Sequence, residues 1–129
     1  MRHPATCRLD TETELKQLEA IDALSELQPV EIIPTFMGAH EFPPEFRGSD
    51  AARERYVSSL CEETIPAAAE QGVAKFIDVF CEPGVFSVPQ AERILRKGME
   101  FGLIPRLHAD EFADGGAASL AARIGAKSA

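Results

Sequence analysis

Three short clusters in this chain combine imidazole, carboxylate or thiol groups at the ends of apolar, strand-like runs. They are Gly38-Ala39-His40-Glu41, Cys81-Glu82 and His108-Ala109-Asp110-Glu111. In parallel α/β folds, functional residues gather at the carboxyl ends of strands. Three polar strand ends in one chain therefore mark a candidate site. His108 is the sharpest of these residues. A neutral imidazole at a strand end suits a metal, and the carboxylates after it could orient ligands or move protons. The same placement suits a histidine satisfied by loop backbone. Glu111 could act as a general acid or base beside a metal, or be a solvated loop charge. His40 could touch a substrate or be an exposed loop histidine. Asp110 could cap a helix or support a ligand. Asp78 sits inside an apolar strand, where an inward carboxylate needs a partner. Glu82 could face the same pocket or belong to a turn.

Other chemistries find less support. Cys81 as a nucleophile would need a neighbouring histidine and a lowered pKa, and nothing local in sequence supplies either. Gly115-Gly116 precedes a helix and could bind an anion, but neither G-x-x-x-x-G-K-[ST] nor G-x-G-x-x-G occurs. His3 lies in an unpatterned terminus and takes no role.

The elements that must position these residues alternate between helix and strand patterns. Thr11 and Glu14 are spaced as a capping box, and Leu15, Leu18, Ile21, Leu24 and Leu27 follow at steps of three. Val30 to Phe36 reads as a strand, with Pro34 near its end. A helix opens near Asp50 and closes at Gly72, with a kink expected at Pro66. Phe76 to Cys81 is the second strand. Ser87 and Gln90 form another capping box, and Gly102 closes that helix. Leu103 to His108 is the third strand, and Ala117 to Ile124 a short helix ended by Gly125. Helices between successive strands imply parallel pairing. Doubly wound sheets and barrels both fit.

Composition narrows the possible partners. The chain has 129 residues and a net charge of −8. An acidic surface argues against non-specific nucleic-acid or anionic-membrane binding. No apolar run approaches the ~20 residues that span a bilayer. Cys7, Cys61 and Cys81 are odd in number and widely spaced, with no C-x-x-C, which points to a reducing cytoplasm and not to a disulfide framework.

Several stretches together resemble imidazolonepropionase, a histidine-degradation enzyme of the amidohydrolase superfamily. They are Leu9-Asp10-Thr11-Glu12-Thr13-Glu14-Leu15, then Pro34-Thr35-Phe36-Met37-Gly38-Ala39-His40 with Pro43-Pro44-Glu45. Asp78-Val79-Phe80-Cys81-Glu82 with Phe86-Ser87, Leu107-His108-Ala109-Asp110-Glu111, and Gly115-Gly116 with Ala121 and Ile124-Gly125-Ala126 complete the set. The resemblance covers residues 9–129 and leaves 1–8 unmatched. It implies a partial TIM-type (β/α)8 barrel of parallel strands. It also implies hydrolysis of 4-imidazolone-5-propanoate to N-formimidoyl-L-glutamate with one divalent metal, zinc or iron. His108 would be a metal ligand, Glu111 the catalytic group near the attacking water and substrate, and His40 a substrate-binding residue.

The chain departs from that family in extent. A complete barrel takes ~250 residues. The H-x-H pair of the family's first strand, its late aspartate ligand and its small β-sandwich have no counterpart here. The expectation is about four of the eight βα units, weak or absent metal binding and no activity from the chain alone. Open sheet edges would favour homo-oligomers or other association. The alternatives are a non-catalytic α/β remnant acting only in binding or assembly, and another cyclic amidohydrolase.

Overall fold

The computed structural model describes residues 10–129. The unmatched stretch 1–8, with His3 and Cys7, lies outside them. Helix α1 (Thr11–Ser25) starts one residue earlier than the capping-box spacing predicts. Asp10 is the N-cap and accepts the Thr13 N–H at 2.8 Å. Aspartate serves this role as well as threonine does. Thr11 is left to bond the Thr64 hydroxyl at 2.7 Å, and Glu14 turns inward. Of the leucine row only Leu18 is fully buried, whereas Leu24 and Leu27 are exposed. Steps of three drift off one face of a helix with 3.6 residues per turn.

Strand β1 (Thr35–Ala39) lies downstream of the expected Val30–Phe36. Pro34 precedes it instead of ending it. With no N–H to give, Pro34 contributes only its carbonyl, which accepts from Lys75 and Phe76 and begins the pairing. A short 3-10 turn (Pro44–Phe46) leads to α2 (Asp50–Ser59), capped by Ser49. The expected interruption at Pro66 takes the form of a π-helical turn, Leu60–Thr64, before α3 (Ile65–Gln71). The Ile65 N–H reaches back five residues to the Leu60 carbonyl, so the wider turn absorbs the misfit ahead of the proline. Gly72 ends α3 at φ 74°, a conformation glycine adopts without penalty.

Strand β2 (Phe76–Cys81), helix α4 (Val88–Glu100), strand β3 (Ile104–Ala109) and helix α5 (Ala117–Ile124) follow close to expectation. Both bonds of the Ser87–Gln90 capping box form. The three strands are parallel and lie in chain order, β1-β2-β3. Beyond β3, Arg106 makes a parallel bridge to Ser128, supported by the Lys127 N–H on the Pro105 carbonyl and the Leu107 N–H on the Ser128 carbonyl.

Helices α1, α3, α4 and α5 form one connected layer against the sheet. Phe36, Ile77, Val79 and Leu107 are buried beneath it. Strand alternation then sends Phe76, Asp78, Phe80, Arg106 and His108 to the opposite face. There the Arg106 guanidinium lies 3.6 Å from the centroid of the Phe76 ring.

Candidate functional site

His40 reaches the site face because β1 is irregular. Phe36 pairs with Ile77, but Ala39 pairs with Val79, so Met37 and Gly38 together oppose Asp78. This is a β-bulge, which re-aims every residue after it. Without the extra residue, His40 would fall in register with Cys81, on the helix side. With it, His40 lies beside Phe80 and on the face of Asp78 and His108.

These three residues meet at one oxygen. His108 Nδ1 is 2.9 Å from Asp78 Oδ1, and His40 Nε2 is 3.3 Å from the same atom. The first contact is an aligned hydrogen bond. The second has ion-pair distance without hydrogen-bond alignment, and His40 Nε2 is buried with no other partner. The imidazole rings meet edge to face at 4.9 Å, and Phe80 stacks on His40 and lies edge-on to His108. Burial pushes the Asp78 carboxyl up, but the close approach of His40 and the hydrogen bond from His108 outweigh it and hold its pKa below the usual value. An ionised Asp78 can only accept. A neutral His108 therefore carries its proton on Nδ1 and presents the Nε2 lone pair elsewhere.

The donor set fits a divalent metal. One donor atom from each of His40, Asp78 and His108 lies within 4.8 Å of the others. With Asp78 Oδ1 engaged by His108 Nδ1, the nitrogen left free for a metal is His108 Nε2. Asp78 was legible in the sequence only as a buried charge in need of partners. The fold shows that both partners are the histidines of neighbouring strands.

Glu111 is not drawn into this cluster. It is exposed on the loop after β3, and among the described residues no hydrogen bond or ion pair joins its carboxylate to either histidine. Its main chain is fixed instead. Buried Glu82 accepts the N–H groups of Glu111 and Phe112 through Oε1. Asp110, at φ 54°, accepts from Gly115, Ala117 and Ala118 and so caps α5. These bonds, from Ala118 and Gly115 foremost, hold its pKa below the usual value. With that carboxylate in place, the start of α5 has no room for the anion that Gly115-Gly116 suggested. Cys81 is a packed thiol, pushed up to about 11 by burial and then by the charges of Asp110 and Glu82, which is the wrong direction for a nucleophile.

No protein-family profile matches the chain. Its sequence is similar to curated imidazolonepropionases, as the motifs implied. It is 54% identical over 117 residues to that of Symbiobacterium thermophilum. It is 48% identical over 121 residues to that of Haloarcula marismortui, and 49% over 121 to that of Clostridium tetani. These matches take in 90–94% of this chain but only 27–28% of the relatives' length.

Proposed function

We propose that this chain forms the central wall of an imidazolonepropionase barrel, which opens the ring of 4-imidazolone-5-propanoate to N-formimidoyl-L-glutamate in L-histidine degradation. The observation that carries this reading is the meeting of His40, Asp78 and His108 on the sheet face opposite the helices, in a chain similar to enzymes of that name. Strands in unbroken chain order, with helices on one face, support a barrel wall over a doubly wound sheet, whose strand order reverses at its binding crevice.

His108 would hold the metal through Nε2, with Asp78 fixing its tautomer through Nδ1. A zinc or iron ion there would polarise the substrate carbonyl and acidify a bound water. His40, whose Nε2 faces Asp78, would contact the substrate through the accessible part of its ring. Ring opening must take a proton from the attacking water and deliver one to the departing nitrogen. Glu111, three residues past His108 on a loop tied down by Glu82 and Asp110, is the carboxylate suited to that transfer. The cytoplasm, where free thiols persist, is the matching compartment.

The test is a chimera in which residues 10–129 replace the matching section of the Symbiobacterium thermophilum enzyme. It should open imidazolonepropanoate in preference to other cyclic amides, and His108→Ala should abolish both turnover and metal retention. A folded, metal-loaded chimera that leaves this substrate untouched would favour the non-catalytic α/β module. Preference for a different cyclic amide would favour another amidohydrolase.

A further inference from the structure

The bulge that aims His40 is itself held by two buried side chains outside the proposed chemistry. Extra residues in a bulge lose their ladder partners, and buried backbone groups need others. Glu14 on α1, only 6% exposed, accepts the Met37 N–H at 2.7 Å. Tyr56 on α2 donates its hydroxyl to the Gly38 carbonyl at 2.8 Å. Gly38 is sterically required as well, because a Cβ there would stand 2.8 Å from Phe36 Cζ and 3.3 Å from Leu60 Cδ2.

We propose that Glu14 and Tyr56 are positioning residues that clamp the β1 bulge from two helices and thereby set the register that places His40 against Asp78 and His108. The proposal rests on the reading of that face as the site, but its geometry can be tested without turnover. Keeping a carboxylate at this depth is costly, and burial pushes the pKa of Glu14 above the usual value. A packing role alone would be filled by an apolar side chain. The Met37 N–H explains why an acceptor stands there.

The experiment is made on the 129-residue chain, reading the proton NOE between the His40 and His108 rings. Tyr56→Phe keeps the ring packed and removes only the hydroxyl, and Glu14→Leu removes the acceptor while keeping an apolar side chain of similar bulk. The double variant should retain the amide spectrum of β2, β3 and α4 while losing the His40–His108 cross-peak. Leu120→Ala, which weakens the core far from the bulge, should keep it. Each single variant should weaken the cross-peak, so the proposal stays testable if the double variant fails to fold. A cross-peak of unchanged intensity in the folded variants, or one lost equally in Leu120→Ala, would overturn the clamp. Failure of the chimera to turn over would leave this result standing, so the two readings fail separately.

Discussion

Asp78 does the most at the smallest scale. Its Oδ1 is shared by His108 and His40, so one charge orients two imidazoles from adjacent strands. Asp78→Asn keeps the shape and removes the charge. The amide can also turn its NH2 toward Nδ1 and reverse the His108 tautomer. In the chimera this should weaken zinc affinity about 10–100-fold, the usual effect of losing a group that supports a metal-bound histidine. A chelator competition assay reads it, and unchanged affinity would remove Asp78 from the site. The thermal midpoint should change little, because Asn remains a hydrogen-bonding partner for the two rings.

At the scale of elements, close approach and charge pairing join the helix layer to the sheet and to itself. Gly98 on α4 lies over Ile77 on β2, and a Cβ there would meet Ile77 Cδ1 and Cγ2 at 2.8 Å. Alanine would gain ~1 kcal/mol of helix propensity, but overpacking a tight interior costs about 1–3 kcal/mol. Gly98→Ala should therefore destabilise the fold by roughly 1 kcal/mol net, as urea denaturation would measure, and a more stable variant would refute this account of the contact. Glu92 links α4 to α5 by bonding Arg123 at 2.9 Å and Arg96 at 2.8 Å. The Arg123 bond foremost, then Arg96, holds its pKa below the usual value. A carboxylate depressed by folding adds stability above its unfolded pKa, and that stability is lost as pH falls through the lower folded pKa. Glu92→Gln should flatten the acid side of the melting profile slightly, since exposed pairs contribute little. A profile that overlays the parent's would show the pairs to be without thermodynamic weight.

For the whole molecule, the exposed geometry implies incompleteness. Among the described residues the β1 edge is unpaired, and the face bearing Phe80 and Arg106 carries no helix layer. Leu27, Val30 and Phe112 are exposed. Open edges and apolar surface favour association. The isolated chain should sediment as dimers or larger species and open no imidazolonepropanoate ring. His108 with two neighbours falls short of a closed metal shell with room for substrate. A monodisperse, cooperatively melting monomer with stoichiometric metal and turnover would contradict both expectations.

The sequence by itself determined most of the element order, because helix and strand differ in apolar period and because caps such as Ser87–Gln90 and stops such as Gly72 and Gly125 act locally. It also placed His40, His108 and Glu111 at strand ends, and its motifs gave the resemblance that the relatives bear out. Tertiary structure decided what depends on alignment between strands. Gly38 inside the strand hints at a bulge, but the register shift itself is defined by what β2 offers opposite. His40 therefore reaches the site face only through a register that the sequence does not display. Glu14, legible as half of a capping box, is a clamp instead, because Asp10 caps the helix and leaves Glu14 to accept from the bulge. Asp78 became the hub for the same reason: a buried charge takes its meaning from the partners that folding brings to it.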